Sequence, residues 1–136
     1  DLNKKELAGI IKLVKKFNFE AIIASNTSID KTLLNNIKFK KLPGGISGKA
    51  LFEHSNKTLR KINVLSNKKI SIIASGGVNN WKSTCKKICL GANAVQVYTG
   101  LIYEGPSMID KSLTLLSSYL KKKKISNLSK ILSDTK

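Results

Sequence analysis

From Lys4 to Phe17 the apolar residues Leu7, Ile10, Ile11 and Val14 recur at i, i+3, i+4 and i+7, the spacing that gathers side chains on one stripe of an α-helix. Glu20-Ala21-Ile22-Ile23-Ala24-Ser25 is too short and too uniformly apolar for a surface helix and predicts a strand buried on both faces, ended by Asn26-Thr27-Ser28. Residues 29–43 show little periodicity and run into Gly44-Gly45-Ile46-Ser47-Gly48. A helix is predicted over 51–65, with Leu51, Thr58, Leu59, Ile62 and Leu65 inward, and a second strand over Ile72-Ile73-Ala74-Ser75-Gly76-Gly77-Val78. Asn79 or Asn80 can cap a third helix that Gly91 terminates. A third strand over 92–98 ends at Thr99-Gly100. Gly105-Pro106-Ser107 then opens a helix whose predicted stripe is Ile109, Leu113, Leu116 and Leu120, and a short helix around 128–132 closes the pattern.

Strand and helix alternate three times, and Ile-Ile-Ala-Ser occurs at 22–25 and again at 72–75. Such alternation predicts an α/β fold with a parallel sheet, either open or closed as a (β/α)8 barrel. Both architectures bind ligands at the carboxyl ends of their strands. The polar and glycine clusters of this sequence all fall there.

With 136 residues, 41% of them hydrophobic, the chain can build one packed unit. No apolar run approaches the roughly 20 residues of a membrane span, and the first residues do not form a signal peptide. The start at Asp1, directly before a helix, leads us to expect a piece of a longer protein. The net charge of +17 raises nucleic acid or an anionic membrane as a partner. The lysines, however, fall mostly on polar helix faces and in Lys121-Lys122-Lys123-Lys124, and Arg60 is the sole arginine, so we expect a solvated basic surface and no nucleic-acid partner. Cys85 and Cys89 share a helix face with Trp81, Thr84 and Ile88 and read as packed thiols; no metal site is expected. His54, the only histidine, reads as an exposed or capping side chain.

Gly76-Gly77, between a strand and a helix, can present backbone N–H groups to an anion with no Cβ in the way. Alone, the pair is equally suited to a plain tight turn. Tyr98-Thr99-Gly100 ends the next strand, and in barrels the last two βα loops often form one phosphate site. Asn26 and Thr27 offer an amide and a hydroxyl, suited either to a planar heterocycle or to stabilising a turn. Gly44-Gly45-Ile46-Ser47-Gly48-Lys49 supplies a backbone able to pass close to a flat ring, with Ser47 and Lys49 as polar groups.

Ala24-Ser25-Asn26-Thr27, Gly44-Gly45-Ile46-Ser47-Gly48-Lys49-Ala50-Leu51, Ile73-Ala74-Ser75-Gly76-Gly77-Val78 and Val97-Tyr98-Thr99-Gly100 with Gly105-Pro106 resemble the dihydroorotate dehydrogenases, in the form of the quinone-dependent class 2. The resemblance covers nearly the whole chain. It implies a (β/α)8 barrel that binds FMN and oxidises dihydroorotate to orotate in pyrimidine biosynthesis, with residues 1–136 as one partial domain, the C-terminal three βα units. It further implies that Gly76, Gly77, Tyr98 and Thr99 hold the FMN phosphate, that Ser25, Ser47 and Gly48 lie along the flavin, and that Asn26 and Thr27 hold orotate. The catalytic base, a flavin-contacting lysine and the helices that meet quinone and membrane would lie upstream of Asp1, so no catalytic residue is assigned here. Peripheral association with a membrane, such as the cytoplasmic face of a bacterial inner membrane, follows from the same resemblance. Ala50 departs from the family's usual proline. Read from the residues alone, another phosphate-binding barrel enzyme and a basic binding module stay open.

Overall fold

A computed structural model describes residues 1–133, and among them the sheet has three parallel strands in the order β1-β2-β3. The elements are α1 (Lys4–Lys16), β1 (Ala21–Ala24), α2 (Ile37–Lys40), α3 (Phe52–Leu65), β2 (Ser71–Ala74), α4 (Trp81–Cys89), β3 (Ala94–Val95), α5 (Thr99–Glu104) and α6 (Ser107–Lys122). Turns of 3-10 helix occupy Lys31–Leu33, Gly48–Leu51 and Leu128–Ser133. The expected α/β alternation is therefore present.

The helix starts follow from side chains that satisfy orphan backbone donors. Asn3 accepts from the N–H groups of Lys5 and Glu6 at 2.9 and 3.0 Å, and the Glu6 carboxylate accepts the Asn3 N–H at 2.7 Å. Asn80 caps α4 through Ser83 N–H at 2.9 Å, and Gly91, at φ +104, stands just beyond the C-cap Leu90.

The two repeated tetrapeptides lie side by side in register, with Ile22 opposite Ile72 and Ala24 opposite Ala74. On one face of the sheet Ala24, Ile72 and Ala74 pack under Leu7, Ile11 and Val14 of α1 and Leu59 and Ile62 of α3. Ile72 and Leu59 are fully buried, so this is the main core. A second cluster joins Ile88 of α4, Leu116 of α6 and Ile131, with Cys85 and Cys89 half-buried beside them, as packed thiols.

Four expectations are corrected. Strand β1 is not buried on both faces: Ala21 and Ile23 are exposed, Ile23 by 61%, because helices cover only one side of the sheet. Strand β3 pairs over two residues instead of seven, although Asn93 N–H to the Ile72 carbonyl and Gln96 N–H to the Ala74 carbonyl, both 2.8 Å, extend its ladder. The buried stripe of α6 is Met108, Ser112 and Leu116, and Ile109 and Leu113 are exposed. The helix is rotated toward α4 so that Leu116 and Leu120 meet Ile88 and Cys89; the i, i+4 spacing from Leu116 leads back to Ser112 and Met108. Finally, Thr99–Glu104 is helical, where a bare turn was expected.

With one sheet face uncovered and β1 and β3 both at edges among the described residues, the isolated 136-residue chain should self-associate, as measured by light scattering on the purified chain. A stable monomer would contradict that expectation.

Candidate functional site

Parallel pairing in register brings Ser25, Ser75 and Gln96 to one level at the carboxyl ends of the three strands. Ser75 N–H donates to the Ala24 carbonyl at 2.6 Å and Ser25 N–H to the Ser75 carbonyl at 3.4 Å, so the first two strands stay joined as they leave the sheet. Beyond them opens a cavity of about 220 Å³. It is lined by the nine residues that the resemblance assigns to FMN and orotate, Ser25, Asn26, Thr27, Ser47, Gly48, Gly76, Gly77, Tyr98 and Thr99, whereas Lys49 of the glycine-rich loop does not line it. Ser75, Gln96, Leu51, Val78 and Gly100 complete the lining, and among the described residues no charged side chain takes part.

The loops reach this cavity because they are tied to one another. Ser28 and Ile46 form an antiparallel bridge, with N–H to carbonyl distances of 3.2 and 2.7 Å, which fastens the loop after β1 to the glycine-rich loop. Lys31 Nζ donates to the carbonyls of Leu42 and Gly44 at 3.0 and 2.8 Å and closes residues 29–43 into a compact excursion. Asp1 accepts from Ser28 Oγ and from Ile29 N–H at 2.5 and 2.7 Å and stands 3.4 Å from His54 Nε2. His54 thus belongs to a surface tie and does not line the cavity.

Glycine is required at Gly77 for a reason different from ligand approach. Its φ is +75, and a Cβ there would lie 2.5 Å from Phe52 Cα, so the turn after β2 rests against the first residue of α3. Gly100 stands in the same relation to the Val78 carbonyl, which brings the loops after β2 and β3 together. Gly45 abuts Thr27 rather than open space. Close passage is therefore between protein loops, and the cavity is what remains between them.

Among the described residues, the N–H groups of Gly76, Gly77 and Thr99 donate to no protein acceptor. The buried Ser25 Oγ is likewise without a hydrogen-bond partner. Asn26 Oδ1 accepts the Thr27 N–H at 2.7 Å, so half of that amide serves its own turn, while Nδ2 donates to no described residue. Donors with unmet demand next to a neutral cavity suit an anionic or polar ligand.

The feature with no counterpart in the sequence reading is Lys87. Expected on a polar helix face, it is instead fully buried, with Nζ donating to Ser55 Oγ at 2.5 Å and to the Ser75 carbonyl at 3.4 Å, and 5.3 Å from the Phe52 ring centroid. Ser83 and Ile88, also buried, mark the same inward face of α4. Its position four residues after Ser83 was the available signal. Burial lowers the ammonium from its ordinary 10.5 to about 8, opposed by the charge of Glu53.

Three parallel strands with helices on one face and a ligand cleft at the strand ends define an α/β protein of the barrel type. The chain belongs to the dihydroorotate dehydrogenase family, whose model matches residues 1–120. It is 38% identical over 120 residues to the dihydroorotate dehydrogenase (quinone) of Bartonella tribocorum, covering 88% of this chain and 32% of the relative. It is 41% identical over 109 residues to that of Buchnera aphidicola subsp. Schizaphis graminum, covering 80% and 32%. The crystal structure of ligand-free DHODH from Eimeria tenella superposes with a TM-score of 0.89 at 30% identity, covering all of this chain and 38% of that one. The chain spans about a third of the length of the curated relatives it matches. Its fold is a portion of the barrel expected from the sequence.

Two outcomes test this geometry. Gly77→Ala in the full-length protein should cost about 2 kcal/mol or more in denaturant unfolding, from left-handed backbone strain and overpacking against Phe52; a change near zero would mean the turn yields freely. Between about pH 8 and 10.5 the unfolded state holds the Lys87 proton that the folded state has released, so raising pH favours the fold. The stability of the ligand-free protein relative to Lys87→Met should accordingly rise across that window, and a constant difference would contradict the burial.

Proposed function

We propose that this chain supplies the FMN and substrate contacts of a quinone-dependent dihydroorotate dehydrogenase, as the C-terminal three βα units of its barrel. The observation that carries the reading is convergence: nine residues, drawn from four separate motifs, line one neutral cavity at the strand ends. The fit to FMN rests on the unpaired amides of Gly76, Gly77 and Thr99, matched to a phosphate, and on the buried, unpartnered Ser25 Oγ.

In this reading Gly76, Gly77, Tyr98 and Thr99 hold the phosphate through backbone donors, and Ser25, Ser47 and Gly48 lie along the flavin. Bound FMN supplies the hydride acceptor for oxidation at C6 of dihydroorotate. Asn26 and Thr27 orient the substrate ring: the free Nδ2 of Asn26 donates to a ring carbonyl, and the Thr27 hydroxyl provides a second polar contact. Fixing that ring contributes proximity and orientation. No residue of the cavity lining is assigned the removal of the C5 proton, since the resemblance implies a base from another part of the barrel. Cys85 and Cys89 pack around Leu116, outside the cavity, and burial together with the neighbouring Cys85 raises the Cys89 thiol to about 11, unsuited to that role.

Quinone reduction and peripheral attachment to a membrane belong, in this reading, to other segments of the full-length protein. Among the described residues no helix is long and apolar enough to cross a membrane. The basic surface is assigned no nucleic-acid partner.

The full-length protein should carry a flavin absorption band, and Asn26→Ala should weaken orotate about tenfold, the loss expected for about 1–2 kcal/mol of hydrogen bonding, with flavin content near normal. Loss of flavin at unchanged orotate affinity would reject the assignment of Asn26. Absence of any flavin, with salt-dependent binding to DNA, would favour a basic binding module instead.

A further inference from the structure

Beneath the anion cradle lies the one lysine of the chain that is fully withdrawn from water among the described residues. Lys87 Nζ reaches the Ser75 carbonyl directly, at 3.4 Å, and reaches the Gly76 carbonyl through Ser55, whose Oγ accepts from Lys87 and stands 3.0 Å from that carbonyl and 2.9 Å from the carbonyl of Phe52. These interactions bear on the N–H groups of the turn. The Ser75–Gly76 and Gly76–Gly77 peptides are trans, and a planar trans peptide points its N–H opposite to its C=O. The Ser75 carbonyl is shared between Lys87 Nζ and the Ser25 N–H, both at 3.4 Å, and holding it together with the Gly76 carbonyl turns the Gly76 and Gly77 N–H groups away from those contacts, at the edge of the cavity that both residues line.

We propose that Lys87 is the positioning residue of the phosphate grip: with Ser55 it fixes the orientation of the Ser75–Gly77 peptides from behind, and its ammonium adds positive charge to a cradle whose lining has none. The inference rests on the reading of Gly76 and Gly77 as FMN-phosphate donors and adds to it the group that orients them. Lys87 does not line the cavity, so it acts from behind the turn, through its hydrogen bonds and its charge, without touching a ligand. Phe52, whose ring lies under Nζ and whose backbone packs against Gly77, walls the ammonium off from solvent and keeps its charge from being screened. Ser83, buried one turn earlier on α4, anchors that helix to Asn79 and Asn80 and so sets the height at which Lys87 enters.

The discriminating ligand pair is FMN and riboflavin, which share the flavin and differ in the phosphate. Affinities of both are measured by flavin fluorescence on the full-length protein stripped of flavin, as wild type, Lys87→Met and Ser55→Ala. Wild type should prefer FMN. Lys87→Met should weaken FMN about tenfold or more while leaving riboflavin within about twofold, and Ser55→Ala should shift the same ratio in the same direction by a smaller factor. Equal weakening of both ligands, or an unchanged ratio, would reduce Lys87 to a structural residue and overturn the proposal. If Lys87→Met does not fold, an unchanged ratio in Ser55→Ala overturns it. A wild type that binds flavin with no preference for FMN would instead overturn the phosphate reading of Gly76 and Gly77, and this inference with it.

Discussion

The site depends on the parallel register between β1 and β2. Opposing Ala24 to Ala74 ends both strands at one level, and the bonds from Ser75 to Ala24 and from Ser25 to Ser75 carry the alignment one residue beyond the sheet. A slip of one residue would invert every side chain: Ile72 and Ala74 would leave the core under α1 and α3, and Ser75 would enter it. Register is held by full burial of Ile72 and Ala74, worth about 2 kcal/mol or more for the isoleucine alone. The polar ends of the strands are thus placed by the apolar residues immediately before them.

From that fixed level the loops are assembled by backbone packing. The turn after β2 leans on α3 at Gly77, the loop after β3 leans on the turn at Gly100, and the glycine-rich loop leans on Thr27 at Gly45. In each case a missing Cβ lets two segments of protein touch, and the unpaired N–H groups are a consequence of how tightly the segments meet. Such a cavity tolerates no side chain at its joints, while its exposed lining residues Asn26, Thr27, Ser47 and Tyr98 keep side chains of some size.

The site residues are legible in the sequence through the resemblance that four motifs carry together, since glycine and small polar residues at strand ends taken singly suit a tight turn equally well. The alternation of strand and helix, a cap at Asn79 or Asn80 and the Gly91 stop follow from local rules, and the structure realises them with Asn80 as the cap. What local pattern could not show was decided by neighbours distant in sequence. The face of α6 is chosen by Ile88 and Cys89 on α4, so Met108 and Ser112 turn inward and Ile109 and Leu113 outward. The exposure of Ile23 reflects a sheet face that these residues leave uncovered, which no reading of an apolar tetrapeptide contains. The glycines at these joints have a reason no local pattern contains: a Cβ at Gly77, Gly100 or Gly45 would meet Phe52, Val78 or Thr27, each distant along the chain.

Composition hides Lys87. Among 25 lysines and arginines, a cation in a helix is expected to face solvent, and the neighbouring Lys86 does so. Solvent and salt screen such exposed charges, so a net charge of +17 says little about any single site. An ammonium withdrawn from water differs in kind, since its desolvation must be offset by acceptors held in place. Here the acceptors are the Ser75 carbonyl and Ser55 Oγ, and the same hydrogen bonds that stabilise the cation constrain the turn. Stabilisation of the lysine and orientation of the amides are therefore one interaction seen from its two ends.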